Sequence, residues 1–385
     1  MTMSDQTGRP GADTDRSEDP MTNTTPPAGP TPPADAAPPA GPPERATSAG
    51  VTTAGVTTAE ARTTRAGLAR DRLHWFGSRY ALVGVWILMA IIYGIVTPHN
   101  FLRISTAQAI FGSQSPLLFL SISALCTFVV GEFDLSFAGV MGLAATIIPV
   151  LSGLHHMNVA LACLIALVSC IACGVVNAFF IVKLGVSSLI VTLGTASLYL
   201  GLAELLSNQN TVSVTNPHFA QIALQDFLGL PLSFWYGIVL CAAFAYVIKW
   251  TPIGRHIVFV GANREVARLA GINVNRIRVG SYISASIVAA LAGIMLVATV
   301  GGFDPTASPS YLLPALAAVF LGTAVVMPGQ FNPIGTLFGI YFLETGIIGL
   351  QLLGYSGWVQ DAFYGAGLVA AVTVAHLVRN RTRVA

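Results

Sequence analysis

Val159-Ala-Leu-Ala-Cys-Leu-Ile-Ala-Leu-Val-Ser-Cys-Ile-Ala-Cys-Gly-Val-Val-Asn-Ala-Phe-Phe-Ile-Val182 is the stretch that decides the fold class. It contains no charged side chain. A helix needs roughly 20 apolar residues to cross the hydrocarbon of a bilayer, so 159–182 reads as a membrane span. Further apolar runs lie on either side, at 80–97, 114–131, 135–152, 187–206, 234–250, 279–300, 312–327, 333–353 and 357–378. The expectation is an all-α membrane protein with about ten transmembrane helices. The runs at 114–131, 135–152 and 312–327 are short.

Composition supports this reading. The chain has 385 residues, of which 54% are hydrophobic and 9% charged. Soluble domains carry roughly 25% charged residues, and so little charge cannot clothe a surface facing water. Placement says more than the net charge of +2. No Lys or Arg occurs between Lys183 and Lys249, or between Arg278 and Arg379. The basic residues gather at 62–79, 249–278 and 379–383, a pattern that argues against nucleic acid as a partner. The five cysteines all lie in apolar runs. Cys170-x-x-Cys173 has a metal or redox spacing, but with no second pair it is expected to pack in the core.

Residues 1–66 differ in kind. Eleven of the 22 prolines fall in the first 50 residues, among Ala, Thr and Gly. With almost nothing to bury, this segment is expected to be a disordered cytoplasmic tail, with a docking tail as the alternative. It does not read as a signal peptide, because the first apolar run begins near Tyr80. Residues 67–385 form the expected transmembrane domain, with 250–278 as a basic loop.

Lys and Arg stay on the cytoplasmic side of a membrane. With the N-terminus inside and ten spans, eleven of the twelve basic residues from Arg79 onward fall inside, and only Arg103 falls outside. Both termini are therefore expected in the cytoplasm, with 207–233 outside.

An internal repeat is visible. Thr127-Phe-Val-Val-Gly-Glu-Phe-Asp134 resembles Thr323-Ala-Val-Val-Met-Pro-Gly-Gln-Phe-Asn332. Each follows a short span, which suggests two related halves with broken helices near 131–139 and 327–333. The first break carries Glu132, Asp134 and Ser136. Acids at membrane depth usually mark a pathway, although Asp134 is equally placed to cap the next helix. The second break offers Gln330 and Asn332 between Pro328 and Pro333 and reads as a second lining or as a plain turn. In the basic loop, Asn263 is placed to cap a short helix, Glu265 to favour its N-terminus and Gly271 to end it. The simpler reading is an amphipathic surface helix. Glu204, Glu344 and Asp361 lie in or near spans and suit a proton relay, but no chain of His and Asp links them. No Gly-x-x-x-x-Gly-Lys-Ser/Thr loop is present, so this chain is not expected to hold ATP itself. No metal-ligating constellation is visible either.

At these motifs the sequence resembles the permease subunit of ribose-type ABC importers, which transport monosaccharides. Residues 131–139 match that family's Gly-Gly-Ile-Asp-Leu-Ser motif, and Ser187–Thr195 match its Ile-Val-Thr-Leu-Gly-Thr segment. Gly261–Asn273 match its Gly-Asn-x-Glu-Ala-Ala-Arg-Leu coupling loop. Glu132 stands where the family has glycine, Ala138 displaces the usual Val-Gly ending, Ser187 replaces a common proline, and Val266 interrupts the Glu-Ala-Ala core. The resemblance implies a permease in a bacterial inner membrane, surrounded by lipid and paired with a second copy, a homodimer. Two ABC ATPase domains that bind ATP and an extracytoplasmic solute-binding protein would be its partners. Glu132, Asp134, Ser136, Gln330 and Asn332 would line the substrate path. Asn263, Glu265, Ala267, Arg268 and Gly271 would couple to the ATPase. The rival readings are an ion-coupled secondary transporter, which needs an ion site in the membrane, and a membrane-bound enzyme, which needs clustered catalytic groups. Neither set of residues is visible.

Overall fold

The computed structural model describes residues 80–384 apart from Thr215. The tail expected over 1–66 lies outside the described residues. The helices are α1 (Tyr80–Val96), α2 (Pro98–Phe101), α3 (Ile104–Gly112), α4 (Ser115–Phe128), α5 (Phe137–Pro149), α6 (Val159–Ala178), α7 (Ser188–Ser207), α8 (Pro217–Leu224), α9 (Leu232–Trp250), α10 (Pro252–Ala262), α11 (Arg264–Leu269), α12 (Val274–Val300), α13 (Leu312–Gly322), α14 (Pro333–Leu352) and α15 (Trp358–Val384). Single π-turns continue α5 over Val150–Leu154 and α6 over Phe179–Lys183, and a 3-10 helix, Pro305–Tyr311, precedes α13. The strands are two-residue pieces in two antiparallel pairs. The protein is thus an all-α membrane protein.

Among the described residues, seven helical segments are long and apolar enough to cross a membrane: Ile104–Phe128, Phe137–Leu154, Val159–Lys183, Ser188–Ser207, Leu232–Trp250, Val274–Val300 and Pro333–Leu352. The other three expected spans fall on α1, α13 and α15.

The core is a layer of helices around α12. Its 27 residues pack against α4, α5 and α6. Ala285, Ser286, Ala289, Ala290 and Gly293 are all buried, and such small side chains let helix backbones approach closely in lipid. The periphery is apolar too. Only 17% of the most apolar window of α9 is buried, and 22% of that of α7. Leu161, Leu164 and Val168 of α6 and Ile190 and Leu193 of α7 are exposed. Exposed apolar area on this scale suits contact with lipid or another membrane protein.

Local sequence explains where helices begin. The side chains of Asn158, Asn216, Asn263, Asn273 and Asn332 each accept a backbone N–H in the first turn of the helix that follows, satisfying donors a helix cannot satisfy itself. Cys170 and Cys173 are free and buried in the core.

Candidate functional site

The chain leaves helical geometry between α4 and α5 and again between α13 and α14. The two breaks are built alike. The Thr127 hydroxyl donates to the Ala124 carbonyl (3.0 Å) and the Thr323 hydroxyl to the Phe320 carbonyl (2.6 Å). The Glu132 N–H returns to the Thr127 carbonyl and the Gly329 N–H to the Thr323 carbonyl. Gly131 and Gly329 have φ of +78° and +81°.

The breaks also touch. The Phe128 ring lies 5.3 Å from Phe133, 6.0 Å from Phe320 and 5.5 Å from Phe331, with Phe320 and Phe331 at 5.6 Å. Phe133 and Phe331 each directly precede the last residue of the repeated segment, Asp134 and Asn332.

The five residues expected along a path have different surroundings. Glu132 is 3% exposed. Its Oε1 accepts from Arg278 Nε at 2.5 Å and faces Arg264 Nη2 at 2.9 Å, and its Oε2 accepts from the Tyr282 hydroxyl at 3.2 Å. Arg264 also donates to the Gly131 carbonyl at 2.8 Å. Asp134, buried, accepts from the Ser136 N–H and hydroxyl at 2.8 and 2.7 Å. Burial pushes the Asp134 carboxyl above the usual carboxylate range, and the two Ser136 bonds pull it back only in part. The chain of bonds continues across three helices. Asn177 of α6 donates to the Ser136 hydroxyl at 2.8 Å, and the Tyr199 hydroxyl of α7 donates to Asn177 at 3.2 Å. Asn332 is buried. Its amide donates to the carbonyls of Gly322, Val325 and Gln330, while its oxygen caps α14 at the Gly335 N–H. Gln330 is exposed on the turn.

The 263–271 segment is a short helix with the expected cap and glycine turn. The Asn263 side chain accepts from the N–H groups of Glu265 (3.0 Å) and Val266 (3.1 Å), with Glu265 in the first turn of α11 and Arg268 in the last. Gly271 has φ +80°, a left-handed turn that side chains with a β-carbon resist. Ala267 is fully buried in a cluster with Val130 and Val260, so α11 packs directly beneath the first break. At Gly261 a β-carbon would overlap the Val129 carbonyl, so the bare backbone permits this close approach. The other side of α11 faces out, with Leu269 87% exposed beside exposed Glu265, Val266 and Arg268.

The expected path residue Glu132 therefore meets the 263–271 segment through Arg264, which was not among the residues expected to couple. Sequence reasoning did not single out Arg278, Tyr282, Asn177 or Tyr199. Arg278 and Tyr282 carry a readable signal: they sit four apart on one helix face, and Arg278 is the last basic residue before a long gap. Asn177 and Tyr199, alone within apolar runs, carry none.

The chain is thus a multi-pass helical membrane protein with paired breaks and a capped short helix packed beneath the first of them. The family described as branched-chain amino acid transport system / permease component matches residues 106–372. The autoinducer 2 import system permease protein LsrD of Salmonella typhimurium is 30% identical over 301 residues, covering 76% of this chain and 89% of that protein. The ribose import permease protein RbsC of Escherichia coli K12 is 30% identical over 305 residues, covering 78% and 94%. No solved structure matches. The chain belongs to this family, as a permease component of the ribose-type ABC importers.

Proposed function

We propose that this chain is the membrane-spanning half of an ATP-driven importer for a monosaccharide or similar small polar solute. The observation that carries the reading is the seating of α11. Its inner side is locked to the first break through Ala267 on Val130 and through Arg264 on Glu132 and Gly131. Its outer side presents Leu269 and Val266 between Glu265 and Arg268. A six-residue helix does not hold through its own backbone alone, and an exposed apolar residue ringed by charge suits a protein partner. That partner is a separate ATPase subunit, which binds ATP in place of this chain. Two such subunits, a second permease copy and an extracytoplasmic solute-binding protein complete the assembly. The relatives' names support transport of a small polar solute, and the first-break and coupling motifs support its ATP-driven form.

In this reading ten spans form two related halves, both termini lie in the cytoplasm of a bacterial cell, and α10 and α11 face the cytoplasm. Asp134, Ser136, Gln330 and Asn332 stand at the inner end of the path, where Glu132 ties the break to the coupling helix. Closing of the ATPase subunits pulls on α11, and the Arg264–Glu132–Arg278 link carries that pull into the first break. The aromatic cluster of Phe128, Phe133, Phe320 and Phe331 lies between the two breaks, where a change in their spacing opens or seals the way.

The test is uptake into right-side-out membrane vesicles carrying the whole importer, with ATP enclosed and the solute-binding protein added outside. The expected result is sugar accumulation that requires ATP and persists after proton and sodium gradients are collapsed. Accumulation driven by an ion gradient without ATP would show an ion-coupled transporter instead.

A further inference from the structure

At the end of α4 and α13 opposite the breaks, a cavity of about 270 Å³ opens between the α3–α4 kink, the end of α12, the 3-10 turn before α13 and the first turns of α15. Gln114, Tyr311, Gln360, Asp361 and Tyr364 supply its polar and aromatic lining, and none of its lining residues is basic. Tyr364 is 4% exposed. Behind it, Glu344 of α14 is 8% exposed, and its carboxyl is flanked by Gln114 and Tyr364. An acid in this position within an apolar span is costly unless it serves a polar occupant or a pathway.

The chemistry of the lining narrows the occupant. A hydroxyl needs both a donor and an acceptor, which paired amides, carboxyls and phenols provide. The tyrosine rings offer flat apolar faces for C–H groups. Two carboxyls with no nearby cation disfavour an anion.

Position gives the cavity a role. The helices α4 and α13 pack against each other along their length. One end of their seam meets this cavity and the other meets Phe128, Phe320 and Phe331. We propose that the cavity is a solute site of the permease itself, on the face away from α11, for a neutral polyhydroxylated molecule. The proposal rests on the importer reading above, in which this face is extracytoplasmic.

The test labels Ser310→Cys at the exposed rim with a membrane-impermeant maleimide, using the full chain in lipid nanodiscs and the unsubstituted chain as control. The probes are D-ribose, D-xylose, D-glucose and myo-inositol, with D-gluconate as anion and D-glucosamine as cation. Uptake of the four neutral probes by cells carrying the whole importer is measured in parallel. The expected result is slower labelling with at least one imported neutral probe and none with gluconate. Asp361→Ala and Gln360→Ala, both at exposed positions, should each raise the protecting concentration roughly tenfold, the loss of one good hydrogen bond. Import of a neutral probe without protection by it overturns the cavity site and leaves the importer reading standing. Protection by glucosamine alone overturns the neutral class, and protection unchanged in both variants removes the site from this cavity. Failure of every neutral probe both to enter cells and to protect overturns the sugar reading together with the site.

Discussion

Two acids two positions apart in the first break have opposite surroundings. Glu132 has two arginines and a tyrosine, whereas Asp134 has only neutral donors. Both read as path residues in the sequence, because spacing reveals that an acid sits at a break but not what faces it. Arg278 lies 146 positions from Glu132, beyond any local pattern. Removing one partner of a buried pair leaves an uncompensated charge. Arg278→Met leaves Glu132 with the half-exposed Arg264 and Tyr282, so it should lower stability by about 1–2 kcal/mol, less than the loss of a sole partner, read as resistance to denaturant in detergent. The pair Glu132→Leu with Arg278→Met should lose clearly less than Arg278→Met alone. Equal losses would mean that the two side chains do not act as a pair.

The short helix α11 was legible as an element, since Asn263, Glu265 and Gly271 announce its start and stop, and the caps stand where those residues are. Its seating was not legible, because Ala267 gives no sign in sequence of meeting Val130. Gly271→Val forces a β-branched residue into a left-handed turn, a strain of roughly 1–2 kcal/mol. The protein should remain in the membrane while co-purification with the ATPase and solute uptake both fall. Wild-type levels of both would make 263–271 a surface helix and no more. Asn263→Ala removes the acceptor for two backbone donors and should cost about 1 kcal/mol of local stability, seen as faster hydrogen exchange across 264–269. Asn263→Asp, which retains an acceptor, should exchange nearly as slowly as the native chain. The second break was likewise visible as a break from its prolines. Only the folded arrangement shows that the Asn332 amide holds it by three backbone carbonyls.

At the scale of the molecule, the distribution of basic residues predicts which loops share a side of the membrane. Asn210 lies in the exposed segment after α7, and Leu269 in the exposed end of α11. With Asn210→Cys, an impermeant thiol reagent should label intact cells. With Leu269→Cys it should label only after the membrane is permeabilised, and more slowly when the ATPase is bound. Labelling of Leu269→Cys from outside would invert the topology.

Exclusion of charge from lipid acts on every residue of a span, so the composition of single runs was enough to establish a helical membrane protein. Caps and glycine turns depend on neighbours within a few positions, and they too were written locally. Pairing across the fold was decided only by tertiary structure. The two breaks meet through phenylalanines from four separate segments, and Glu132 finds arginines from α11 and α12. The cavity lined by Gln114, Tyr311 and Asp361 draws on residues more than two hundred positions apart in the chain. Such contacts follow from how helices pack, and helices that are apolar nearly all round carry no stripe that would name their neighbours in advance.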